Sequence, residues 1–291
     1  MTKQKFALGS VQFGMKYGVG SQLKSLAVSE VEGILKTASE LKIDLIDTAS
    51  LYGGSEERLA QSAYTSDFSY VTKTIKSDAE VITESYLEDF NTQLERSLRL
   101  LKSTYGVLFH RPSDVFKKGG DALFKRLTDL KKEGKIQKIG FSIYDPTELV
   151  QLKEHFDFDL VQLPCSIFDQ RASESEVVRT LFKKGVEFHS RSSFLKGAIF
   201  LTQENIPPKL NPELKRLEAF ASTTNELKVS PIELAFSYLK KQDFISRIVI
   251  GVQSEEQLRQ TIGLYNSSKV GEIDYLPFAF QNHDLLNPGN W

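Results

Sequence analysis

Short apolar or β-branched runs alternate with longer stretches of helical spacing along this chain. The runs are KFALGSVQF (5–13), IDLIDTA (43–49), SYVTKT (69–74), YGVLFH (105–110), IQKIGFS (136–142), LVQLPCS (160–166), VEFHSRS (186–192) and RIVIGV (247–252). Each run predicts a strand and each intervening segment a helix. Helix starts are marked by Ser29 with Glu32 as a capping box, by Asp145-Pro146 with Glu148, and by Ser230-Pro231 with Glu233. A βα unit repeated eight times over this length predicts an α/β protein, a (β/α)8 TIM barrel in a single domain, 1–291. An open doubly wound sheet would carry a Gly-rich fingerprint after its first strand, and GMKYGVGSQ does not keep that spacing. The stretch 201–214, with Pro207, Pro208 and Pro212, predicts a loop after the seventh strand. The tail YLPFAFQNHDLLNPGNW has no periodicity and is expected to pack over the barrel mouth or reach the pocket.

Composition narrows the function classes. The 291 residues carry a net charge of −1 with both signs dispersed, so no basic patch argues for nucleic acid. No apolar run approaches the ~18–20 residues of a membrane span, and the opening MTKQKFALGS has no apolar signal core. The single cysteine, Cys165, excludes an intrachain disulfide and suits a reducing compartment. A cytoplasmic protein is expected, with no nucleic-acid or membrane partner, as monomer or homodimer.

Barrel chemistry sits where strands end. The run ends carry Asp47, Lys73, His110, Ser142, Gln162, Arg191 and Gly251, and Tyr52 lies on the loop between the acid and the lysine. Taken singly, each has a plain reading: a cap, a solvated amine, a structural histidine, a core-edge tyrosine. Together they match carbonyl reduction, in which a carbon accepts hydride while its oxygen accepts a proton. A free phenol, with pKa about 10, is a sluggish acid. A nearby ammonium would stabilise phenolate and lower that value, the role expected of Lys73, with Asp47 holding the lysine charged and His110 orienting the carbonyl oxygen. A metal site lacks support, with one cysteine and no H-x-x-x-H pair.

The segment Asp47-Thr48-Ala49-Ser50-Leu51-Tyr52-Gly53-Gly54-Ser55-Glu56 resembles the aldo-keto reductase pattern D-T-A-x-x-Y-G-x-S-E. VTKT, LFHRPSD, GKIQKIGFSIYDPTEL, VQLPCSIFDQR and IVIGVQSEEQL follow in the family's order. The resemblance implies catalysis by Asp47, Tyr52, Lys73 and His110, and carboxamide binding by Ser142 and Gln162. It departs at Ile143, where the family often has asparagine, and at Arg191, where many members stack an aromatic on the nicotinamide. A guanidinium plane can also stack or pair with phosphate. The loop with Ser192, Phe194, Lys196 and Gly197 is expected around the pyrophosphate. Gly251, Gln253, Ser254 and Gln257 are expected at the adenosine end, where Ser254 also caps a helix, Gln257 holds the capping-box position, and Arg259 is the nearest cation. The family implies NADPH, with NADH left open by Glu255 and Glu256.

Loops set the substrate. The expected pocket walls are Phe13, Met15, Tyr17, Leu51, Arg111 and Trp291, while Phe278 and Phe280 are expected to be packing residues. The opening LGSVQFGMKYG resembles reductases found near polysaccharide-synthesis functions, which implies a small, sugar-like carbonyl substrate. The alternative on the same scaffold is a cofactor-binding regulatory or redox-sensing subunit.

Overall fold

The computed structural model describes residues 5–16, 26–202 and 204–287. Every predicted run overlaps a strand: β1 (Phe6–Gly9), β2 (Leu45–Asp47), β3 (Ser69–Lys73), β4 (Thr104–Phe109), β5 (Lys138–Ser142), β6 (Leu160–Pro164), β7 (Glu187–Arg191) and β8 (Ile245–Gly251). They pair in parallel and in chain order, and β8 returns to β1 to close a barrel. Helices Val28–Glu40, Ser55–Gln61, Glu84–Leu100, Asp121–Lys132, Glu148–His155 and Glu176–Lys183 follow β1 to β6 in turn. Leu214–Leu227 and Pro231–Lys240 both follow β7, and Glu255–Ser267 follows β8. This is a (β/α)8 TIM barrel. The proline-rich stretch after β7 is partly ordered, with a 3-10 turn at Pro208–Glu213 leading into helix Leu214–Leu227.

The helix signals are realised unequally. Ser230 and Glu233 form a complete capping box with Pro231 in the first turn. The signal at Asp145-Pro146 is displaced: the helix starts at Glu148 after Thr147, which makes no side-chain cap bond, and Asp145 Oδ1 accepts from the Thr147 amide at 2.8 Å while Glu148 Oε1 accepts from the Asp145 amide at 2.9 Å in the turn before it. The first box is displaced. Helix Val28–Glu40 starts after Ala27, whose amide donates to Glu30 Oε2 at 2.6 Å, and Ser29 lies inside the helix. Glu32 instead accepts from the Ala63 amide at 3.1 Å. Burial of Val31, Ile34, Leu35 and Ala38 against the barrel sets the rotation of this helix, and Glu30 is then the acid three residues past the cap.

Two apolar layers hold the fold. One lies between sheet and helices and includes Phe6, Ile46, Phe109, Phe141 and Phe188. The other fills the barrel itself with Ala7, Leu45, Val71, Leu108 and Leu160, backed by Tyr105 and Val249. Side chains alternate faces along a strand, so these two sets occupy alternate positions. The described part of the tail packs as expected for Phe278 and Phe280. The Phe280 ring stacks on Phe168 at 4.9 Å, and Phe278 meets Phe220 edge-on at 5.9 Å. Among the described residues, no helix is long and apolar enough to cross a membrane.

Candidate active site

The barrel-filling layer determines where the polar residues stand. Two residues beyond Leu45, Val71, Leu108 and Leu160 come Asp47, Lys73, His110 and Gln162. A period of two keeps each on the barrel-facing side, one layer nearer the C-terminal mouth. There Lys73 Nζ donates to Asp47 Oδ1 at 2.6 Å and to the Thr48 carbonyl at 3.0 Å. Gln162 Nε2 donates to the same Asp47 oxygen at 2.7 Å. Ser142 Oγ lies 3.5 Å from Gln162 Oε1. Lys73 and Asp47 are 2% and 6% exposed, so this ion pair is buried and each charge depends on the other.

Tyr52 arrives from the loop after β2. Its ring stands 5.0 Å from Lys73 Nζ and 6.0 Å from the His110 imidazole, edge-on at 86°. The loop is fixed by backbone packing. A Cβ on Gly14 would lie 1.7 Å from the Tyr52 carbonyl oxygen, and Gly53 sits at φ +58 with its own missing Cβ 2.6 Å from the Gly14 carbonyl. Ser55 Oγ donates to Ser10 Oγ at 2.8 Å and to its carbonyl at 3.0 Å. The buried Glu56 carboxylate accepts from Thr72 Oγ1 at 2.6 Å and Ser97 Oγ at 2.8 Å, tying the loop to β3 and helix Glu84–Leu100. The motif therefore supplies both the tyrosine and its mounting. In the sequence Glu56 was legible as the last residue of the motif but not as an anchor to β3, and Gly14 only as a loop glycine.

The electrostatics of the group are uneven. Burial works against the Lys73 ammonium, but the Asp47 carboxylate and Tyr52 more than offset it, so its pKa lies above the usual lysine value. Burial also lifts the Tyr52 phenol above its ordinary pKa. Lys73 pulls it down and Asp47 pushes it up, and burial wins. The expectation of a net lowered phenol is thus not met: Lys73 acts in the expected direction but is outweighed by desolvation and by its own counterion. Burial, followed by the positive charges of Lys73, Lys76, Arg191 and Arg111, holds the His110 imidazole down to about 2. His110 is neutral at physiological pH, and its buried Nδ1 has no hydrogen-bond partner among the described residues. A protonated phenol backed by an ammonium, beside a neutral imidazole, can give up one proton and keep the resulting phenolate stable.

A cavity of about 320 Å³ opens on this layer. It runs from Tyr52, Asp47 and Gln162 past the β7 loop to Gln253 and Gln257. Gly9 and Gly251, paired partners on β1 and β8, both line it. A Cβ on Gly251 would lie 2.6 Å from the Gln12 amide, so glycine there leaves room for both. Arg191, Ser192, Phe194, Lys196 and Gly197 all line the wall, together with Gln12, Ser193 and Phe200, which the strand-end reading did not single out. The β7 loop turns through left-handed backbone at Ser192, Leu195, Lys196 and Gly197. Arg191 lies with its guanidinium carbon 4.2 Å from the Tyr144 ring centroid and donates to the Ile143 carbonyl at 2.9 Å. Ser254 caps helix Glu255–Ser267, accepting from the Gln257 amide at 3.1 Å, while the Gln257 side chain accepts from the Gln253 amide at 2.7 Å rather than from Ser254.

The expected substrate walls fare differently. Phe13 is fully buried in the core, because the chain after β1 turns into the short helix Val11–Gly14 and directs it inward. Met15 and Leu51 are surface residues, 40% and 43% exposed, and neither lines the cavity. The Arg111 guanidinium is held by the Ser77 carbonyl and by Asp78, so it is already paired. Tyr17 and Trp291 lie outside the described residues.

The aldo/keto reductase family profile matches residues 5–275, so the chain belongs to that family. Membership makes it an oxidoreductase of a class that uses nicotinamide cofactors on small carbonyl compounds. Among relatives, the chain is 24% identical over 302 residues to an uncharacterized oxidoreductase, YqkF, of Bacillus subtilis (strain 168), covering 97% of this chain and 96% of that protein. A second relative is the NADH-specific methylglyoxal reductase of Escherichia coli (strain K12), 23% identical over 154 residues, or 48% of this chain and 47% of that one. Two solved structures of proposed aldo-keto reductases from Pseudomonas aeruginosa share the fold, with TM-scores of 0.65 and 0.63. Both are 18% identical, over 91% of this chain and 90% of theirs.

Proposed function

We infer that this protein reduces an aldehyde or ketone to the alcohol, with Tyr52 as the proton donor. The observation that carries this reading is the convergence of Asp47, Lys73 and His110 around Tyr52, with Asp47 and Tyr52 on the wall of one cavity. Neutral His110 receives the carbonyl oxygen through a hydrogen bond and aims it toward the Tyr52 hydroxyl. As the oxygen gains negative charge, the phenol gives up its proton. The Lys73 ammonium stabilises the phenolate left behind, and Asp47 keeps that ammonium charged inside the barrel.

The residues fit a nicotinamide dinucleotide. Gln162 lines the cavity at the Tyr52 end, where its Oε1, which accepts from Ser142 Oγ at 3.5 Å, would meet a carboxamide. The left-handed turns from Ser192 to Gly197, held by Leu195 and Gly197 amides donating to the Ser192 and Phe194 carbonyls, form the cavity wall where a pyrophosphate would lie. When bound, a reduced nicotinamide supplies hydride to the carbonyl carbon. A cytoplasmic setting suits the lone buried thiol of Cys165. The reading is tested by following the loss of reduced-nicotinamide absorbance with a panel of aldehydes, methylglyoxal and sugar aldehydes included. Turnover of at least one carbonyl supports it. Cofactor binding with no turnover of any carbonyl supports a regulatory subunit instead.

A further inference from the structure

We propose that the adenosine end of this cavity selects NADH over NADPH, an inference that rests on reading the cavity as a nicotinamide dinucleotide site. A nicotinamide seated at Tyr52 and Gln162 places the adenosine ribose at the opposite end, beside Gln253 and Gln257. The two cofactors differ there by one phosphate, which carries a charge of about −2.

The polar side chains facing that end are the neutral amides of Gln253 and Gln257, and Gln257 Oε1 accepts from the Gln253 backbone N–H. The following helix, Glu255–Ser267, offers its N-terminus, a partial charge of roughly +0.5 that would favour a phosphate. Its first turn, however, carries the full negative charges of Glu255 and Glu256. Glu255 is fixed in place: its Oε2 accepts from Thr37 Oγ1 at 3.1 Å, and its carboxylate packs where a Cβ on Gly33 would otherwise lie, 2.2 Å from Oε1. The only basic residue between Gly251 and Lys269 is Arg259. Its guanidinium is engaged by the Glu40 carboxylate and by Thr37 Oγ1 at 3.3 Å. The cations on the cavity wall, Arg191 and Lys196, both belong to the β7 loop, where the pyrophosphate common to both cofactors would lie. A 2′-hydroxyl meets amides that can hydrogen-bond it. A 2′-phosphate adds negative charge beside a helix start that already carries two acids, and the nearest cation, Arg259, is already paired.

The test is equilibrium binding of NADH and NADPH to the wild-type chain, read from the enhancement of nicotinamide fluorescence, with circular dichroism as the check of fold. NADH is expected to bind about tenfold tighter or more. Glu40→Gln releases Arg259 and is expected to tighten NADPH several-fold while leaving NADH within about twofold. Glu255→Lys is expected to narrow the ratio by about tenfold. NADPH binding as tightly as NADH in the wild type, or a ratio that neither substitution moves, overturns the proposal alone. A folded chain that binds neither cofactor overturns it together with the reductase reading.

Discussion

The side-chain amide of Gln162 donates to Oδ1 of Asp47 at 2.7 Å, the same oxygen that holds the Lys73 ammonium at 2.6 Å. One carboxylate oxygen thus joins β2, β3 and β6 across the barrel. Removing its charge with Asp47→Asn leaves a buried ammonium without its counterion, and stability is expected to fall by about 3–5 kcal/mol in urea unfolding. The double variant Asp47→Asn/Lys73→Met removes both charges. It should recover a large part of that loss while remaining inactive, because the phenolate then has no cation beside it.

Gly14 and Tyr52 meet backbone to backbone, with no room for a methyl group. Gly14→Ala is expected to displace the tyrosine loop at a cost of about 1–3 kcal/mol in stability. Since catalysis depends on the phenol's position, kcat should fall by about a hundredfold or more. Activity within a few-fold of wild type would show that the loop adjusts freely.

Stability should depend on pH through half-buried His110 and fully buried His189. Burial holds the imidazoles of His110 and His189 below the ordinary histidine value, His110 down to about 2. Above about pH 6.5 both are neutral in folded and unfolded chains and contribute no slope. Below it the unfolded chain takes up protons that the folded chain refuses, so stability falls as the pH drops, by up to about 1.4 kcal/mol per unit for each histidine. Glu187, held below the usual carboxylate range by hydrogen bonds from His189, Lys138 and Tyr105 against the effect of burial, adds stability above about pH 4.5 that is lost in stronger acid. Urea midpoints between pH 5 and 7 measure the histidine part, and His189→Gln should flatten the slope.

Much of this arrangement is visible in the chain because it follows from a period of two. Once Leu45, Val71, Leu108 and Leu160 are assigned to the barrel interior, Asp47, Lys73, His110 and Gln162 must face the same side one layer higher. The features that escaped sequence reading depend on contacts between distant segments. Tyr144 lies under Arg191, 47 positions away, and no local pattern pairs them. Gly14 looks like any loop glycine until the Tyr52 carbonyl is placed against it. Phe13 and Arg111 looked available to a substrate, but the first is drawn into the core and the second is held by Ser77 and Asp78. The displaced capping box has the same origin, since tertiary burial sets the rotation of helix Val28–Glu40 and a local motif does not.

Proton donation by Tyr52 is the centre of this account, and single-turnover reduction of an aldehyde by the Tyr52→Phe variant, with cofactor binding and melting temperature measured on the same sample, tests it most directly. The substitution removes one hydroxyl and keeps the ring, so the account predicts wild-type cofactor affinity, an intact fold and a rate lower by about 10²–10⁴-fold. A variant that reduces the aldehyde at close to the wild-type rate would contradict it.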